Sequence, residues 1–172
     1  MTTSTDTTRA HLNAFGSQFD YDTGYLQELL SASPTAFQRF AAAQPMSQHH
    51  GVLSKEAHAI ACTSVMLADD CGACAQLNLR MAVQVGVARD LLQTLLDQPS
   101  RLPQALRDIH DHARAVAAGT ESAPDLVARL RTELGDGGFA ELAVVITGAR
   151  IYPTLKRALG TSTHCRKPSL DF

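Results

Sequence analysis

Apolar residues recur at spacings of three and four along nearly the whole chain, the period of helices that bury one face. "DTGYLQELLSAS" and "SPTAFQRFAAAQ" predict two short amphipathic helices. The second has Ser33 as its cap and Pro34 at its first position, where a missing N–H is no loss. "LSKEAHAIACTSVMLADD" predicts a helix capped by Ser54. "CGACAQLNLRMAVQVG" predicts another, ending near Gly86, and "ARDLLQTLLDQ" the next. "RLPQALRDIHDHARAVAAG" is stopped at Gly119, and "APDLVARLRTELG" closes at Gly135. The final segment, "GFAELAVVITGARIYPTLKRALG", is expected to kink at Pro153, because proline removes an internal hydrogen bond. Valine and isoleucine cluster only in "LAVVITGARIY", which is embedded in helix formers and has no partner strand. The pattern predicts an all-α fold, a single-domain bundle of about seven to eight helices.

The first twenty residues are Thr-rich and polar and are expected to form a flexible arm. Residues 21–160 are expected to form the helical domain, with 161–172 as a tail. At 172 residues the chain is long enough to bury a core. A formal net charge of −2 lacks the basic excess that nucleic-acid binding leaves. No run approaches the roughly 18 apolar residues of a membrane span. The start, "MTTSTDTTRAHLNAF", lacks the apolar core of a signal peptide. The expected location is the cytoplasm, with neither membrane nor nucleic acid as partner. There a pair of nearby cysteines is read as redox-active, catalytic or metal-binding before it is read as a staple.

Such a pair stands in "DDCGACAQL", where Cys71 and Cys74 open a predicted helix. The thiolate is the reactive form of cysteine, and the unpaired N–H groups of a helix's first turn stabilise it. By that argument Cys71, nearest the positive end, has the lower pKa. Residues three apart are neighbours on a helix, so one sulfur can attack a substrate and the other resolve the product as a disulfide. The charges of Asp69 and Asp70 oppose thiolate formation unless they point away or cap a helix. Packing cysteines and a metal site are the alternatives. A metal site needs about four ligands, which here would require His164 and Cys165 to fold back, and no metal or cofactor is expected.

"LSKEAHAIACTSVMLADDCGACAQLNLRMAVQVGV" resembles the core of the carboxymuconolactone decarboxylase and alkylhydroperoxidase D superfamily, and "LVARLRTELGDGGFAELAVVITGARIYPTLKRALG" resembles its later helices. The resemblance covers roughly residues 35 to 160. It implies an all-helical domain that assembles as a homo-oligomer, and a thiol-dependent peroxidase that takes a small-molecule peroxide and a thiol or dithiol reductant. It implies that Cys74 is the nucleophile and Cys71 the resolving thiol. The family motif has a histidine four residues after the second cysteine and a glutamate twelve residues before the first. Here those positions hold Asn78 and Ala59. Asn78 can hydrogen-bond but cannot act as a base near pH 7. His58, beside the glutamate position, and Glu56, one turn back from it, are the candidate substitutes.

His58 and Cys62 lie four apart and share a helix face, so His58 is a base or orienting group if that face looks at the pair. Cys62 reads as a core residue. His49 and His50 are expected to be solvated loop residues or the mouth of a site. His110 and His112, two apart, do not share a helix face. Cys165 lies in the basic stretch "HCRKPSL" and reads as an exposed or oligomer-packed thiol. Three functions compete. One is a disulfide-cycling peroxidase at Cys74 and Cys71. Another is a cysteine-independent lactone decarboxylase, against which the retained pair argues. The last is a non-catalytic helical oligomer that binds a small ligand or partner.

Overall fold

The computed structural model describes residues 4–161 and 167–172. His164 and Cys165 lie outside that range. The described residues form eight helices and no strand: α1 (Ser4–Phe19), α2 (Gly24–Ala32), α3 (Pro34–Ala43), α4 (Lys55–Ala68), α5 (Gly72–Gln84), α6 (Arg89–Asp97), α7 (Gln104–Ala117) and α8 (Pro124–Ala158). Short 3-10 turns at Gln44–Met46 and Pro99–Arg101 complete the set. The all-α expectation holds.

The centre is α4, which packs against α5, α7 and α8. Ile60, Ala61 and Val65 of α4 are fully buried. They share one cluster with Ile109 and Ala113 of α7 and with Leu142, Val145, Ile146 and Ala149 of α8. A second cluster gathers Tyr21, Tyr25, Leu26, Leu30 and Phe37. A third, around Leu79 and Leu92, takes Leu170 of the tail against it. The tail is further held by Gln76, which bonds Ser169 through both amide atoms at 2.9 and 2.8 Å. No described helix is long and apolar enough to cross a membrane.

Local chemistry sets the helix ends. Ser33 Oγ accepts from the Ala36 amide at 3.2 Å, with Pro34 opening α3, and Ser54 Oγ accepts from the Ala57 amide at 3.0 Å. Each cap satisfies a first-turn amide that has no carbonyl partner within its helix. At Gly135 the backbone turns to φ 69°, ψ 168°, which divides α8 into two helical stretches where the sequence placed a glycine turn.

Two expectations are corrected. The described part of the expected arm is not loose: Ser4–Phe19 is helical. Leu12, Phe15 and Phe19 fall on one side of α1 and pack on the Tyr21 cluster, and tertiary burial of this kind outweighs the weak helix propensity of threonine. Nor does Pro153 interrupt the last helix. It is buried inside α8, and the non-helical angles are at Gly135 instead.

One close approach fixes the neighbourhood of the site. The turn at Gln44–Met46 lies directly on α8 at Gly148. A Cβ there would fall 2.3 Å from the Ser47 amide nitrogen and 2.6 Å from the Met46 carbonyl carbon. Both contacts are to backbone, which cannot rotate away. Gly148→Ala is therefore expected to destabilise the fold by about 1–3 kcal/mol, the usual cost of overpacking, read as a lower denaturant midpoint. An unchanged midpoint would show that the turn shifts freely.

Candidate functional site

The break between α4 and α5 places the cysteine pair. Asp69 caps the end of α4, and Asp70 takes a left-handed φ of 51°. Cys71 is then the cap residue of α5 and Cys74 lies in its first turn. The two are joined as a disulfide, with Cα atoms 5.3 Å apart. Asp69 does not oppose a thiolate unopposed: its carboxylate pairs with Arg157 at 3.0 Å and with Arg150 at 3.5 Å. Asp70 is exposed.

Both cysteines are buried, but Cys74 is the one that borders a cavity of about 480 Å³. The cavity is roofed by α1 and α2 and floored by α4, α5 and α8. Its walls are mostly apolar, among them Leu12, Phe15, Phe37, Met66, Leu77 and Met81. The polar side chains that reach it include three tyrosines, Tyr21, Tyr25 and Tyr152, and three histidines, His11, His50 and His58. Tyr21 Oη lies 3.9 Å from Cys74 Sγ and 3.3 Å from Tyr25 Oη. Burial pushes the Tyr25 and Tyr152 hydroxyls up from their ordinary range, so both stay protonated at neutral pH. Sequence reading missed all three tyrosines as site residues. The signal was faint: Tyr21 and Tyr25, four apart at the end of a polar stretch, look like ordinary core aromatics.

His58 also borders the cavity. Its Nε2 is 2.8 Å from the Ser47 carbonyl oxygen. A carbonyl only accepts, so Nε2 carries the hydrogen and donates it. Cys62 Sγ lies 3.8 Å from that same nitrogen, and the His50 ring stacks on His58 at 4.2 Å between centroids. Burial lowers the His58 pKa, so the ring is neutral at pH 7 with its Nε2 already engaged. Cys62 is fully buried, and burial pushes its thiol up to about 12. It is a core thiol that touches the cavity and stays protonated.

The remaining predicted residues divide. Asn78 borders the cavity, yet its side-chain nitrogen donates to the Cys74 backbone carbonyl at 3.0 Å, back along its own helix. Glu56 lies in the first turn of α4 and is not part of the cavity wall. His50 stands at the mouth, whereas His49 lies 3.5 Å from Glu141. His110 and His112 belong elsewhere, bonded to Ser64 and Ser122 at 2.7 Å each. Among the described residues no group of three or more histidine, cysteine or acidic side chains is placed to hold a metal ion.

Three histidines thus sit below their ordinary value of 6.5 because they are buried: His58, His110 and His112. Below that pH the unfolded chain takes up protons that the folded chain refuses, so stability falls as the pH drops through the ordinary histidine range and is complete above it. The unfolding midpoint is expected to be lower near pH 5.5 than near pH 7.5, with a shallower dependence in His58→Gln. A flat profile between the two would contradict this.

Comparison with known proteins found no matching family model, no similar curated protein and no similar solved structure.

Proposed function

We propose that the chain is a thiol-dependent oxidoreductase of the alkylhydroperoxidase D-like type, reducing a peroxide through a Cys71–Cys74 disulfide cycle. The observation that carries the reading is that Cys74, bonded to Cys71, borders a partly enclosed and largely apolar cavity. In the cycle the Cys74 sulfur attacks one peroxide oxygen as the O–O bond breaks. The products are a sulfenic acid on Cys74 and an alcohol. The Cys71 thiol then displaces water from that sulfenic acid to close the disulfide. An external dithiol supplies two electrons and two protons to restore both thiols. That Cys74 borders the cavity supports the attacking role that the family resemblance implies for it, against the helix-end argument for Cys71.

The test begins with reduced protein and cumene hydroperoxide. Two thiols per chain are expected to disappear and return with dithiothreitol, and peptide mass spectrometry is expected to find Cys71 joined to Cys74. Cys71→Ser should leave a sulfenic acid on Cys74 that dimedone traps, and Cys74→Ser should abolish the reaction. Thiols unchanged by peroxide would defeat the reading.

A second reading has one observation in its favour. The family's relay positions hold no acid–base group, and Asn78 is turned to its own backbone. A cavity of this lining can instead hold an apolar ligand without turnover. Unreactive thiols together with a melting point raised by such a ligand would select that function.

Assembly with further copies belongs to the same proposal. Val144 is 39% exposed on α8, and Ile151 and Leu155 border an open groove beside it. A sedimenting mass above the 18.4 kDa of one chain is expected at micromolar concentration; the monomer alone would refute it.

A further inference from the structure

We propose that the Tyr21 hydroxyl is the proton carrier for Cys74, supplying the acid–base step for which Asn78 has no group; this rests on the peroxide cycle above. Tyr21 Oη lies 3.9 Å from Cys74 Sγ. Tyr21 itself is held from several sides. Its amide donates to the Gly16 carbonyl at 2.9 Å, and the guanidinium of Arg80 grips the carbonyls of Phe19 and Asp20 just before it. Phe15 meets its ring edge-on at 6.3 Å. The Tyr25 hydroxyl, 3.3 Å away, orients the Tyr21 hydroxyl. Above both rings stands the buried ammonium of Lys156, 4.8 Å from the Tyr21 centroid and 4.7 Å from that of Tyr25. A cation over a phenol ring favours whatever negative charge builds on its oxygen.

The hydroxyl acts in both directions in one step. It accepts the thiol proton of Cys74 and donates its own proton to the departing peroxide oxygen. The S–O bond forms as the O–O bond breaks, so Cys74–SH and ROOH become Cys74–SOH and ROH. Sulfur loses two electrons, the peroxide gains them, and Tyr21 ends neutral as it began. The contacts of His58 run to Ser47, Cys62 and His50, whereas Tyr21 is the side chain whose hydroxyl faces Cys74 Sγ.

Other titratable groups surround the pair, among them Asp69 at the end of α4 with its partners Arg150 and Arg157, and the exposed Asp70. Tyr25 comes from α2, Lys156 and Tyr152 from α8, and Cys71 from beside Cys74 on α5. Across the cavity stand His11 of α1, His50 of the loop, and His58 and Cys62 of α4.

Two readouts test the proposal. With cumene hydroperoxide, Tyr21→Phe keeps the ring and removes the hydroxyl, and disulfide formation is expected to slow by about 100-fold or more. Without peroxide, the rate of Cys74 alkylation by iodoacetamide is followed against pH in Cys71→Ser protein. Tyr21→Phe is expected to displace that profile to higher pH, because the thiolate loses a hydrogen-bond donor. If Tyr21→Phe does not fold, judged by circular dichroism, 3-fluorotyrosine at position 21 serves instead: its more acidic hydroxyl should displace the profile to lower pH. Wild-type thiols inert to peroxide would defeat the cycle. A wild type that reacts, with a Tyr21→Phe variant equal to it in both readouts, overturns the role of Tyr21 and leaves the cycle standing. A fluorotyrosine profile superimposed on the wild type does the same.

Discussion

Helix α4 is buried along almost its whole length, from Ala57 to Met66. That burial constrains everything around it, because each polar side chain on the helix must be satisfied inside the protein or cost stability. His58 is satisfied by the Ser47 carbonyl and Ser64 by His110, while the buried Thr63 hydroxyl, without a partner among the described residues, is left at that cost. The first bond requires the turn at Gln44–Met46 to lie close against α8, and Gly148 makes room for it. A glycine on one helix thereby sets the ring orientation of a histidine on another. The same turn carries Ser47 Oγ to within 3.2 Å of Tyr152 Oη. The floor and one wall of the cavity are thus organised by the requirements of a buried helix before any ligand is considered.

The opposite wall has a different origin. Helix α1 contributes no fully buried residue. It rests on the tyrosine cluster through Leu12, Phe15 and Phe19, and Arg80 of α5 fastens its end. The helix that carries Cys74 therefore also holds the segment that delivers Tyr21. Through the same guanidinium, α5 meets the tail, where the Phe172 ring lies 5.4 Å from Arg80 and 4.9 Å from Arg89. Sulfur, phenol, roof and tail are linked by one helix.

The fold was legible because helical period, caps and glycine stops agreed. Ser33, Ser54, Gly119 and Gly135 mark ends by chemistry that acts within a few residues. The cysteine pair was legible for the same reason, since spacing of three in sequence is adjacency on a helix. The N-terminal helix was not, because its stability comes from aromatic contacts with segments far along the chain, while its local composition argues against it. Pro153 misled by the same route: a local rule about hydrogen bonding was outweighed by packing on all sides. The tyrosines could not be found from spacing alone. Tyr21 and Cys74 are 53 positions apart, and only the folded chain brings them together. Glu56 was suggested by nearness in sequence to a motif position, but it stands two residues before His58, about 200° around the helix, and so is not on the face that lines the cavity.

The cavity wall has a consequence for selectivity. Met66 and Met81 are unbranched and polarisable, and such side chains readjust to the shape beside them at little cost. Leucine and phenylalanine around them offer surface without direction. Along this apolar stretch the wall discriminates by volume and apolar area, and only weakly by outline. A series of compounds lengthened one methylene at a time would gain affinity by about 0.8 kcal/mol per step until the space was full. Preference would follow a gradient across that series, with its limit set by the far wall of the cavity.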